Sequence, residues 1–336
     1  MRRIIELSVE QDRNIVRLVE AGRYEDVQHF VTAAIENQLI LERADSGAAL
    51  SANAADEAKQ PADVAVEERQ PVALEAVNAI HPLGAAELAR GEDAARWLWG
   101  QINSVLAIKF VCREVAYAGT SSGPQPLREL AAEIAKRAAA FGHHLRFVDA
   151  QQKHGRGENL ATSFPTLEEK SLSRFANHYV GSRRADGRYD GALFQLGLLS
   201  ADHNDRPGLT GLGARFATLP SPVIDRSDNR VKTWLSEDEE AFYLQEVAAR
   251  MSVERIPMSW VLLSVQAGAN TRTTMNERLA AAYPAWTPAE VETYRVGTLS
   301  RLVQLRVLVV IRNGRDIRYE LGPNSALAVQ LFKQAA

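Results

Sequence analysis

One cysteine, Cys112, stands in the whole chain, so no intramolecular disulfide can staple it. Long apolar runs are missing too. No stretch approaches the roughly 18 residues that a membrane span needs, and the greasiest segment is interrupted by Lys109 and Arg113. Behind Met1-Arg2-Arg3-Ile4-Ile5-Glu6 there is no apolar core or cleavage site of a secretion signal. An excess of one charge is absent as well: 39 Lys and Arg meet 42 Asp and Glu, for a net charge of −3. These gaps argue against a secreted disulfide scaffold and a membrane partner, and the expected location is the cytoplasm. They also exclude a uniformly basic nucleic-acid binder, so any contact with DNA must come from a local patch.

Catalytic motifs are equally thin. Gly119-Thr120-Ser121-Ser122-Gly123 fits the G-x-S-x-G string, but the nucleophile elbow needs a strand before it and a helix directly after it. Here a helical stretch precedes and Pro124-Gln125-Pro126 follows, which reads as a linker. Gly208, Gly211 and Gly213 have the wrong spacing for a dinucleotide loop. Adjacent His143 and His144 diverge on a helix, and no Cys or Asp joins them with His154, while Lys153-His154-Gly155-Arg156-Gly157 reads as a basic loop. A non-enzymatic chain with no catalytic residue, metal or cofactor is therefore expected.

What is present is a full-sized chain of 336 residues, with room for two or three cores. It opens on a short alternation, Arg3-Ile4-Ile5-Glu6-Leu7-Ser8-Val9, with Ile5, Leu7 and Val9 on one face. A helical stretch carries Ile15, Leu18 and Val19 up to Ala21-Gly22, and a second begins near Asp26 with Phe30, Val31, Ala34, Ile35 and Leu39 along one stripe. A strand and two helices in about forty residues cannot bury that surface alone; two copies can. The alternating strand, the Gly22-Arg23-Tyr24 turn and the Phe30-Val31 to Ala34-Ile35 stripe resemble the ribbon-helix-helix family of the Arc and MetJ type. The resemblance covers residues 1–43 and implies a homodimer held by Ile5, Leu7, Val9, Phe30, Val31 and Ile35, with a ribbon presenting Arg2, Ile4, Glu6 and Ser8 to the major groove. Glu6 and Asp26 depart from the family pattern, because a carboxylate faces phosphate unfavourably. Dimerisation is the job that carries over.

Residues 44–80 turn to Ala, Ser, Asp, Glu, Gln and Pro without apolar period, as a flexible tether would. Residues 81–160 read as a helical domain, with a central helix carrying Trp97, Ile102, Val105, Leu106, Phe110 and Val111, and a second from about Pro126 to Phe147. In residues 161–230, Leu172, Phe175 and Tyr179 fit a helix and Leu193 to Leu199 end another in a Leu-Gly-Leu-Leu turn. A polar loop and Leu209-Thr210-Gly211-Leu212-Gly213 follow, an order that resembles winged helices of the regulator type. Residues 231–336 give a sharper version: a capped helix at Ser236, an apolar helix after Pro257 over Trp260–Val265, and a third from Thr273 to Ala282. A fourth starts at Thr287-Pro288-Ala289-Glu290 in capping-box register. Then Asn313-Gly314 joins two β-rich runs, a strong hairpin signal. The fold class expected is mainly α with small β elements: a ribbon-helix-helix module, a linker, and a helical body with one or two winged-helix domains.

Between Arg295 and Arg318 six arginines face one acid, Asp316. Arg295, Thr298 and Arg301 fall on the expected recognition helix, Arg306 follows it, and Arg312, Arg315 and Arg318 lie on the hairpin. Arg174, Arg183, Arg184 and Arg188 form a smaller set before the first wing, diluted by Asp186 and Asp190. Guanidinium forks so placed suit phosphate and guanine. The expectation is a dimeric binder of double-stranded DNA, a transcriptional regulator in kind. The alternative is an interaction subunit of a larger plasmid, phage-defence or DNA-processing complex, with another protein as partner.

Overall fold

The computed structural model describes residues 16, 27, 73–77, 97–121, 125–152, 159–202, 206–225, 233–313 and 316–334. The chain divides into two compact units, residues 1–65 and 66–336. The ribbon-helix-helix module and all of its named residues lie outside the described ones, where only Val16 and Val27 are placed, both in helix. The rest is mainly helical with three small antiparallel sheets, each a two-stranded hairpin. Among the described residues no helix is long and apolar enough to cross a membrane.

Two long helices lead the second unit, α1 (Val105–Ser121) and α2 (Leu127–Gln152). Trp97 to Ser104 was expected inside the first helix but precedes it as irregular chain. The reason is a cap from far away: the Gln304 side-chain oxygen accepts Val105 N–H at 2.8 Å and Leu106 N–H at 3.3 Å, ending the helix there. Next come α3 (Glu169–Phe175), prolonged by a π-helical turn over Ala176–Val180, then β1 (Ser182–Arg183), β2 (Tyr189–Asp190) and the single turn α4 (Ala192–Gln195). The strands β3 (Leu199–Ala201) and β4 (Pro207–Leu209) follow, then α5 (Gly211–Thr218). α6 (Glu237–Phe242) opens on the expected capping box of Ser236 with Glu239.

The C-terminal run is α7 (Ser252–Gln266), α8 (Arg272–Ala282), α9 (Pro288–Gln304), β5 (Leu308–Asn313), β6 (Asp316–Leu321) and α10 (Ser325–Gln334). α7 does not wait for Pro257 but runs through it. Proline cannot bond the carbonyl four residues back. That carbonyl, on Val253, is instead taken by Leu98 N–H at 2.8 Å, so the break in one ladder becomes a tie to the chain before α1. The six-pair β5–β6 ladder gains a third edge where Thr271 bridges Arg318 and Tyr319 N–H donates to Asn270 O at 2.9 Å.

A structural repeat joins the two larger hairpins. After α4, Gly197 takes a left-handed φ of +65° and Leu198 N–H returns to Leu193 O at 2.9 Å; after α9, Arg306 takes +51° and Val307 N–H returns to Leu302 O at 2.9 Å. Both are helix ends of Schellman form. Each hairpin then closes alike, Thr210 N–H on Leu198 O and Gly322 N–H on Val307 O.

One continuous apolar core runs from Trp97 to Phe332 through the segments expected as three successive domains. Lys109 and Arg113, which break the apolar run in sequence, are fully buried within it. Lys109 Nζ lies 3.3 Å from Glu239 Oε1 and donates to Leu219 O and Phe216 O. Arg113 donates to Ala217 O, Leu219 O and, at 2.6 Å, to Asp225. The two cations thus cap the carbonyl end of α5, where the helix dipole is negative.

Candidate nucleic-acid interface

The helix expected to enter a DNA groove, α9, is buried on two faces. Val291, Arg295, Thr298, Leu302 and Leu305 form one inward stripe, and Gly297, Arg301 and Gln304 a second. The second stripe lies against the chain before α1. A Cβ on Gly297 would collide with the Gly100 carbonyl, and one on Gly100 with the Thr293 carbonyl, so backbone meets backbone there. Only Val296 is exposed along the middle of the helix, at 42%. Such a helix cannot enter a major groove.

The arginines it carries, expected to face DNA, are instead buried with internal partners. Arg301 is fully buried; its Nε and Nη2 donate to the two carboxylate oxygens of Glu254 at 2.7 and 2.8 Å, and Nη1 donates to Ile102 O. Burial alone would lower its affinity for a proton, but the Glu254 carboxylate outweighs that and holds the group above its ordinary range. Arg295 is buried, with Nε on Asn276 Oδ1 at 2.8 Å and Nη2 on Glu292 Oε1 at 2.7 Å. Burial works to raise the Glu292 carboxyl, and the bonds from Arg295 and Asn276 with the charges of Arg295 and Arg272 together bring it below its ordinary range. Thr298 is buried among them, its hydroxyl without a partner. Arg306, beyond the helix, grips the buried Glu240 at 2.8 Å and reaches Glu237 at 3.3 Å. Hydrogen bonding to Glu240 raises its proton affinity.

What stays outside is the β5–β6 hairpin. Its register puts Arg312 opposite Ile317 on the face shared with Val310 and Tyr319, and Arg318 opposite Ile311 on the other face. Arg312 and Arg318 are exposed, and neither has an acidic partner among the described residues. Arg315, at the turn, lies outside the described residues, as does Arg2. Between the hairpin and the outer side of α9 runs a groove of about 150 Å³ with Val296, Val303, Val310, Ile317 and Trp234 in its walls and Arg312 as its only charge. The Trp234 indole N–H in it has no partner among the described residues.

The smaller hairpin β1–β2 exposes Arg183, Arg184 and Arg188, each engaged locally. Arg184 Nε donates to Asp190 Oδ2 at 3.0 Å, Arg183 Nε donates to Gly187 O at 3.3 Å, and Arg188 stands 3.8 Å from Asp186. The Asp190 carboxyl is correspondingly depressed: burial works to raise it, and bonds from Arg184, Gln195 and the Gly191 N–H prevail. Of the enzyme strings, Gly119 lies in the last turns of α1 and His143 and His144 on α2. Arg174 lines a polar pocket with Asn103 and Ser163, neither of which the sequence singled out.

No family model, no curated protein and no solved structure matches the chain.

Proposed function

We propose that the chain is a non-enzymatic, double-stranded-DNA-binding protein that grips the duplex with its C-terminal hairpin rather than with α9. On this reading residues 231–336 form a winged helix whose third helix has been turned inward as a scaffold, leaving the wing as the contact. The observation that carries the proposal is the division among the arginines. Every described arginine from 295 to 306 is spent on an internal carboxylate, whereas Arg312 and Arg318 stand exposed without one. Two guanidinium groups without an acidic partner among the described residues, on opposite faces of a narrow ribbon, suit the two phosphate walls of a groove.

The ribbon-helix-helix module of residues 1–43 would supply the dimer, and residues 44–80 the tether, so that two weak grips add by avidity. Binding of a random duplex at low salt, with an affinity that falls steeply as salt rises, tests this. Affinity that does not respond to salt, or no binding, rejects it. The second reading, an interaction subunit, is favoured by a specific feature: the apolar groove beside the hairpin, where Val296 and Ile317 are 42% and 36% exposed.

A further inference from the structure

The chain before α1, the loop before α3, α3 itself and the π turn after it enclose a second concavity of about 290 Å³. Its chemistry is one-sided. Among the described residues no carboxylate lines it and Arg174 is its one full cation, exposed and without an acidic partner. Around that cation stand neutral hydrogen-bonding groups whose orientation is fixed from behind. The Asn103 side-chain oxygen accepts from Ser163 Oγ and from Tyr179 Oη, the latter at 3.2 Å, which fixes the amide and leaves its Nδ2 donors unused among the described residues. Ser171 Oγ accepts Thr166 N–H at 3.0 Å, so its own proton remains to give. His178, held below its ordinary range by burial and by the Arg174 cation, is neutral near neutral pH and offers a single ring N–H.

Two further features separate this concavity from an ordinary surface dent. Ser163 holds a left-handed φ of +76°, a conformation that costs a non-glycine residue roughly 1 kcal/mol or more and that clusters at binding sites. The remaining wall is apolar, from Phe164 and Phe175, and the exposed Trp99 ring lies 6.2 Å from that of His178 at its rim. A cation, several neutral donors and no acid select an anion. The spare volume and the aromatic wall select one that carries an organic group.

We infer that this concavity is a binding site for a phosphate monoester, with Arg174 as its charge, the Asn103 amide and the Ser171 hydroxyl as its neutral donors, and the Phe164–Phe175 wall against the organic part. The phosphate can come from a free nucleoside monophosphate or from the 5′-phosphate of a nucleic-acid end. The site shares no lining residue with the groove beside the hairpin, so its existence does not rest on the proposed duplex grip.

The test uses the full chain and calorimetric titration at fixed ionic strength with inorganic phosphate, with a nucleoside monophosphate, and with a short strand bearing either a 5′-phosphate or a 5′-hydroxyl. Saturable binding of inorganic phosphate and of the nucleotide is expected, the nucleotide tighter. Arg174→Gln should weaken both at least about tenfold, since a charge-assisted contact is lost. Arg278→Gln, which removes an exposed cation on α8, should leave both unchanged. Arg174 is exposed and unpaired, so Arg174→Gln should keep the wild-type melting curve. Preference for the 5′-phosphate strand over the 5′-hydroxyl strand would assign the site to nucleic-acid ends, and equal weak binding of both beside tight nucleotide binding would assign it to the free ligand. No saturable binding of phosphate or nucleotide, or binding that Arg174→Gln and Arg278→Gln weaken alike, overturns the inference.

Discussion

Arg301 and Glu254 meet in a fully buried, two-point ion pair, 47 residues apart in sequence, and Tyr243 Oη donates to the same Glu254 oxygen at 3.0 Å. Three elements are tied there: α9, α7 and the π-helical turn Tyr243–Ala248 that prolongs α6. Removing one partner strands a charge in a medium that cannot solvate it, at a cost of about 3–5 kcal/mol. Arg301→Met should therefore lower the urea-unfolding free energy by that amount, a large share of the ~5–15 kcal/mol of a typical domain. Arg301→Met combined with Glu254→Gln should recover part of the loss. A loss below about 1 kcal/mol in the single variant would show the pair to be reached by water.

Lys109 and Glu239 give a pH signature. Burial brings the Lys109 ammonium down to about 8 from 10.5, and the facing Glu239 carboxylate offsets only part of this. The unfolded chain thus keeps its proton up to 10.5 while the folded chain releases it near 8. Across that window the unfolded state binds more protons, so this group's contribution to stability rises with pH and is lost as pH falls through 8. Lys109→Met with Glu239→Gln removes the effect and keeps the capping box, because Gln serves at its third position. Urea unfolding at about pH 7.5 and about pH 9.5 should show wild type gaining on the double variant as pH rises. A gap that stays level or closes contradicts the assignment.

Arg306 tests the repeat between the two hairpins, since it holds a left-handed conformation where the first hairpin has Gly197. Arg306→Ala and Arg306→Gly lose the Glu240 contact equally, but only alanine keeps the Cβ that opposes a positive φ. The glycine variant should be the more stable of the two by about 1 kcal/mol in thermal unfolding. Equal stabilities would mean that the helix end relaxes once Arg306 is gone.

Local chemistry was legible in the sequence wherever a short stretch determines its own backbone. Thr287-Pro288-Ala289-Glu290 announces the start of α9 and Ser236 with Glu239 announces α6, and both stand where the residues place them; Asn313-Gly314 announces a hairpin, though Asn313 belongs to β5 and pairs with Asp316 rather than forming the turn. The interior was harder to read because arginine was counted as surface. Arg295 and Thr298 fall on the stripe of Val291 and Leu302, and Arg301 follows Gly297 at helical spacing, so a helix apolar or small on two faces was the available sign of burial. Glu292 stands three residues before Arg295 on the same helix, a spacing the sequence does offer, but Glu254 and Asn276 lie on other helices and no local pattern pairs them. Pro257 misled for a related reason: its cost in α7 is offset by Leu98 N–H, a partner from the far side of the fold.

The central claim is that the hairpin, and not α9, meets DNA, and the salt dependence of duplex binding tests it most directly. Each phosphate contact adds roughly −0.9 to the slope of log affinity against log salt. Arg312→Ala with Arg318→Ala should weaken binding to every sequence and flatten the slope by about two units for each hairpin engaged, with the unfolding curve unchanged because both side chains are exposed. A double variant that binds as wild type does, with the same slope, would contradict the account.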